Sequence, residues 1–333
     1  MNNFKKVGLT ALAGSLAAIS ANAAEMTVSG ATLLTYTSED STESTGNPFG
    51  MKTNLGFTAS GEVNGYTVSY MQTSADQFAG MSSARLSVDM GDMGTIAFDQ
   101  GSGSGLATID DKTPTAAEEI WDNLDSSSAT TDRNGLVGAA GSSGVINYIT
   151  TVAGATFNGA YRKGEGGSNS DGGSSGDGEG AWDFALTADG STVGVDGLAM
   201  GAGYGKASQG QSTAGDEKHT TVFANYSIGM VTVGYQISNI SMPTVSGIDE
   251  DTNAFGIAVN INENLSVSYG EREVEYDNPT SNNVTEDGKG VAVAWTMGSM
   301  KIAGNRNEVT NNDNATGAAA SDETTEVALS FAF

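Results

Sequence analysis

Past residue 25 the chain falls into short runs in which apolar and polar residues alternate, each bounded by Gly, Asn, Asp or Ser clusters. In Ser82–Met90, the residues Ala84, Leu86, Val88 and Met90 stand opposite Ser83, Arg85, Ser87 and Asp89. In Val231–Asn239, Val231, Val233, Tyr235 and Ile237 share a face. Period two with one apolar face is the signature of a β-strand. The same pattern predicts strands at Met26–Thr37, Met51–Ser60, Tyr66–Thr73, Thr95–Asp99, Gly144–Thr151, Gly154–Arg162, Ala181–Ala188, Gly197–Lys206, Lys218–Ser227, Thr252–Ile261, Leu265–Glu273, Lys289–Met297, Met300–Asn307 and Thr324–Phe333, sixteen in all.

The connections carry the stronger signal, because their lengths alternate. Short turns lie near Asn64, Asp92, Ala153, Gly190, Gly229, Glu263 and Gly298. Long connections cover Ser38–Pro48, Ser74–Met81, Gln100–Ser143, Lys163–Gly180, Ala207–Glu217, Ile240–Asp251, Val274–Gly288 and Glu308–Glu323. Strict alternation puts every short turn at one end and every long loop at the other, and an even strand count returns both termini to the short-turn end. That is the anatomy of an outer-membrane β-barrel. A soluble sandwich or β-helix also gives short alternating strands, but neither predicts one-sided loops.

Composition fits this reading. Gly 46 against Pro 4 is too glycine-rich for a helical protein, and with Cys 0 no disulfide staples the fold. A closed barrel satisfies its backbone hydrogen bonds between strands and needs no staple. The first residues read as an export leader spanning 1–23: Lys5 and Lys6 precede the short apolar run Val7–Ile19, and Ala21-Asn22-Ala23 supplies the small residues of a cleavage site. The domain then covers 24–333. Acidic residues number 40 against 14 basic ones, for a net charge of −26. Such a chain repels nucleic acid.

The stretch Gln100–Ser143 is too long for an ordinary connection. It opens glycine-rich and carries Asp110, Asp111, Glu118, Glu119, Asp122 and Asp125 around Trp121. We expect it to fold into the lumen and narrow it. Trp121 and Ile120 within Ala116–Leu124 suggest a short helical turn, with Trp121 and Leu124 as anchoring contacts.

With these features the sequence resembles the Gram-negative general diffusion porins, of the sixteen-stranded trimeric kind found in alphaproteobacteria. The resemblance rests on the start Ala24-Glu25-Met26-Thr27-Val28-Ser29-Gly30, on the length of the third long loop, and on the close Val327-Ala-Leu-Ser-Phe-Ala-Phe333. It implies an all-β, sixteen-stranded transmembrane barrel with the third loop as a constriction in the lumen. It also implies a homotrimer in the outer membrane, in contact with its lipid. Phe331 and Phe333 would form the signal read by barrel-assembly machinery. The expected function is passive diffusion of small hydrophilic solutes and ions, without catalysis. The alternatives are a solute-specific channel of the same fold, or a plugged barrel acting as an adhesin or scaffold.

A constriction needs opposed charges across the lumen. Alternation turns Lys52, Arg85 and Arg162 inward, and Arg272 and Lys301 share that phase. These are the expected positive wall, thinner than is usual in the family. Acids elsewhere concentrate in long loops: Glu39, Asp40 and Glu43; Asp171, Asp177 and Glu179; Asp249, Glu250 and Asp251; and Glu271 to Asp277. A negative mouth of this kind concentrates cations, and loosely held Ca²⁺ or Mg²⁺ could bridge loops or lipid headgroups there. Asp249-Glu-Asp251-Thr-Asn253 resembles the start of a calcium loop, but Ala254 stands where glycine is required, so no specific metal site is expected. His219 is the sole histidine, which argues against a serine–histidine enzyme. Gly201, Gly203 and Gly205 fit a lumen face where small residues leave room. Tyr36, Tyr66, Tyr70, Tyr204, Tyr235, Tyr269, Trp295 and Phe331 share the apolar face, as girdles at the membrane interfaces require.

Overall fold

Alternating strands that cannot bury two apolar faces form a sheet, and here the sheet closes on itself. The computed structural model describes residues 25–41, 45–74, 81–122, 124, 135–141, 143–164, 180–208, 215–242, 247–279 and 283–333. The leader expected at 1–23 and Asp125 lie outside them. The strands are β1 (Glu25–Ser41), β2 (Phe49–Val63), β3 (Tyr66–Ser74), β4 (Met81–Asp89), β5 (Thr95–Gln100), β6 (Ser143–Val152), β7 (Ala155–Arg162) and β8 (Ala181–Asp189). They continue as β9 (Leu198–Ala207), β10 (Glu217–Ile228), β11 (Val231–Ser241), β12 (Asp249–Asn260), β13 (Leu265–Asp277), β14 (Val284–Met297), β15 (Met300–Thr310) and β16 (Asp322–Ala332). Each pairs antiparallel with its neighbours in sequence, and β1 closes on β16.

The alternation orients every wall residue. On β11, Val233, Tyr235 and Ile237 are exposed, while Gly234, Gln236 and Ser238 between them are buried. The exposed apolar set faces out and the buried small and polar set faces in. Asn64 and Gly65 both have positive φ, 53° and 83°, which the two-residue turn between β2 and β3 requires.

The tall strands exceed the sequence reading. Glu271 to Asp277 belong to β13 rather than to a loop, and Asp249 to Asn253 belong to β12. The physical reason is that a strand rising past an apolar layer has no need of an apolar outer face. Glu271, Glu275 and Asp277 are exposed on the outward phase of β13. The outward ion pairs Lys289–Glu308 and Arg306–Glu323 lie beside them. The calcium-loop resemblance ends here as well, because consecutive strand residues such as Glu250 and Asp251 point to opposite faces. No group of three or more His, Asp or Glu able to hold a metal ion occurs among the described residues.

Candidate functional site

The insertion between β5 and β6 runs across the inward wall, and side chains of successive strands mark its path. Its root is the Asp99 carboxylate of β5, buried, which accepts from Ser104 Oγ at 2.6 Å and from the Ser102 amide at 2.9 Å. A short 3-10 turn follows at Gly105–Thr108. The Gly105 amide then donates to Asn158 Oδ1 of β7 at 2.9 Å, and the Leu106 amide donates to Asp183 Oδ1 of β8 at 3.0 Å. Leu106 and Ile109 form an apolar cluster with Val137, Ala185, Phe223 and Ile240. Gln236 of β11 donates to the carbonyls of Ile109 and Asp110 and accepts from the Lys112 amide at 2.6 Å. Ala116 donates to Ser268 Oγ of β13, and Asn307 of β15 donates to the carbonyls of Glu119 and Asp122.

A row of glycines receives this outgoing limb. Gly234, Gly256, Gly270 and Gly290 stand opposite one another on β11 to β14. A Cβ at Gly256 would come within 2.8 Å of the Pro114 carbonyl oxygen, and one at Gly270 within 2.8 Å of Ile120 Cγ2. Asn225 beside Gly234 and Asn307 beside Gly290 extend the row and bond to the limb. Gly203 and Gly205 leave room for Leu106 and Ala139 in the same manner.

The limb returns along a second row of side chains. The amides of Gly135, Gly138 and Ala140 donate to Glu250 of β12 (2.9 Å), His219 of β10 (3.2 Å) and Asp183 of β8 (2.7 Å). His219 Nε2 lies 2.7 Å from Glu217 Oε1. His219 is thus a wall residue that meets the insertion. The helical turn expected over Ala116–Leu124 is a single turn in which the Asp122 amide bonds to the Glu119 carbonyl.

Across a cavity from the described part of the insertion stands the wall of β1, β2 and β16. The cavity, of about 570 Å³, has Lys52, Asn54, Thr35, Glu326 and Ser330 on the wall side and Glu118 and Asp122 on the insertion side. Lys52 therefore faces two of the expected acids. The other basic residues do not. Arg85 lies 3.6 Å from Asp99 and bonds to Asn147, Ser104 and the Gly103 carbonyl, so it braces the root. Arg162 lies beside Gly141 at the other end of the insertion. Arg272 is buried behind it, 3.2 Å from Glu286 and 5.0 Å from the Trp121 ring centroid. Lys301 is half-buried next to the short turn at Gly298, paired across the strands with Ser330, and its own side chain does not line the cavity that Ser330 shares with Glu118 and Asp122. Alternation gave each its inward direction, but not what covers it. Glu326 on the wall was missed, because a strand acid carries no signal of the loop that will face it.

Asp110, Asp111 and Glu119 lie along the outgoing limb and are partly buried. Burial raises all three carboxyl pKa values, and Asp110, with Asp111 beside it, is pushed up to about 7.

The topology can now be set beside solved structures. The channel DcaP of Acinetobacter baumannii superposes with a TM-score of 0.67 at 12% identity, over 94% of this chain and 98% of that one. An anion-selective porin from Comamonas acidovorans gives 0.63 at 15%, over 93% and 100%. OmpT, an outer membrane protein of Vibrio cholerae in a trimer form, gives 0.66 at 12%, over 93% and 100%. The fold is that of the sixteen-stranded porins. No protein-family model and no curated protein matches the sequence. A fold does not fix a function, so the residues that line the cavity must decide it.

Proposed function

We propose that the protein is an outer-membrane channel whose water-filled lumen is narrowed by the insertion, and that small hydrophilic solutes and cations diffuse through it. The observation that carries this reading is the cavity that Glu118 and Asp122 share with Lys52 and Glu326. Three carboxylates and one ammonium line one passage. Charges across a narrow aqueous gap orient dipolar solutes, and their balance sets ion preference. The acidic excess of the chain acts in the same sense at longer range. The apolar outer face and the porin fold support an outer-membrane location, and the trimer form of the Vibrio cholerae protein supports a homotrimer. No step of this function calls for catalysis or a cofactor.

The test is planar-bilayer recording of detergent-folded protein in a KCl gradient. Stepwise conductance with a reversal potential on the cation side is expected, and neutralising Glu118 and Asp122 together should move that potential toward zero. A silent bilayer would overturn the channel reading in favour of a plugged barrel whose loops carry the function.

A further inference from the structure

The wall holds the insertion through many side chains, but Asp183 holds both of its limbs. Its carboxylate, 3% exposed, accepts the Leu106 amide on Oδ1 at 3.0 Å and the Ala140 amide on Oδ2 at 2.7 Å. Leu106 belongs to the outgoing limb and Ala140 to the returning one. Among the described residues, Asn158, Gln236, Ser268 and Asn307 bond to the first limb, and Glu250 and His219 to the second. A carboxylate taking an amide on each oxygen makes two charge-assisted bonds. Leaving either amide unmet in a buried place is costly. The local sequence is fitted to this contact: Gly105 has φ +59°, and a Cβ there would run into the Asp183 carboxylate.

We propose that Asp183 is the positioning residue that staples the two limbs together at the root of the insertion, and so fixes the width of the aperture between Glu118, Asp122 and the wall. The proposal rests on the channel reading. The outgoing limb beyond Thr108 is irregular backbone, so its place depends on what it is tied to. Joining the limbs at the root shortens the free chain between them and lowers its conformational entropy.

The experiment is a rescue. Ala107 and Gly138 face each other across the limbs, and a Cβ at Gly138 would lie 3.6 Å from that of Ala107. That falls in the roughly 3.5–4.5 Å range a disulfide needs, and the chain has no cysteine to interfere. Asp183→Ala should raise single-channel conductance, add current noise and shift the reversal potential toward zero. Asp183→Asn, which keeps one acceptor oxygen, should fall between. Adding Ala107→Cys and Gly138→Cys to Asp183→Ala should restore wild-type conductance and reversal potential when oxidised, and lose both on reduction.

A merely structural loss would not return with a reversible bond between the limbs. Unchanged conductance in Asp183→Ala overturns the staple, as does a disulfide confirmed by mass that restores nothing. A silent wild type overturns the channel reading instead. The staple is then judged on the folded barrel by protease cleavage within residues 106–122: new cleavage in Asp183→Ala, suppressed by the disulfide, supports it, and equal resistance overturns it.

Discussion

On the proposed channel reading, Asp110 is a residue through which the pH of the medium acts on the insertion. Its carboxyl titrates at about 7, raised first by burial and second by Asp111, while backbone amides and Lys112 pull the other way. A carboxyl with that pKa is neutral below it and anionic above it, so the insertion gains negative charge as pH rises through neutrality. Cation preference should therefore increase with pH across about 6 to 8, within one unit either side of that pKa. Asp110→Asn should flatten the rise, which reversal potentials at stepped pH will show. A rise that survives the substitution assigns the titration to another group. At this scale the sequence was informative about direction and silent about surroundings. The phase of Lys52 against Met51 placed it inward, and it faces the insertion acids. Arg272 has the same phase, yet Trp121 lies against it and Glu286 neutralises it. The difference arises from where the insertion passes, which depends on contacts far apart in the chain.

Between elements, the seat of the insertion is a row rather than a motif. Gly234, Gly256, Gly270 and Gly290 are spread along the sequence and become neighbours only through strand register. The sequence reading found room-making glycines at 201, 203 and 205, where one strand shows the pattern on its own. It could not find the transverse row, whose period exists across strands. The row makes a sharp expectation. A side chain at Gly256 meets Pro114 at 2.8 to 3.0 Å from carbonyl oxygen, Cδ and nitrogen. Backbone and a ring cannot swing aside, so Gly256→Val should push the limb off the wall and toward the opposite side of the lumen. Conductance should fall, opposite in sign to the Asp183→Ala effect, at a stability cost of roughly 1–3 kcal/mol for overpacking. Denaturant unfolding and bilayer recording on the same preparation measure both. A Gly256→Val channel with raised conductance would mean that the limb yields in another direction.

For the whole molecule, the decisive step is closure, since a barrel has no free edge only when its last strand finds its first. The strand count and the end at which both termini meet were legible from loop lengths, because that argument needs only order along the chain. The seam itself needed coordinates. β1 pairs with β16 from Ala31–Ala332 to Ser41–Asp322, and Gly30 and Phe333 exchange backbone bonds at 2.7 and 2.9 Å to finish it. The Phe333 ring lies over Gly30, where a Cβ would collide with it and approach Leu55 Cδ2 at 2.9 Å. Phe333 as a whole is 68% exposed. Gly30→Val should thus destabilise the seam only modestly, by displacing the ring, because the atoms it meets are the outer ends of an exposed Phe333 and of Leu55, which can turn aside. Phe333→Ala on its own removes little packing in the isolated barrel. Combined, the two changes should be less damaging than their sum, because the second removes the obstacle that the first creates. Urea refolding of the four proteins, followed by heat-modifiable gel mobility, gives the coupling directly. Strict additivity would place the cost of Gly30→Val at Leu55 instead, and the terminal ring would then have no part in closing the barrel.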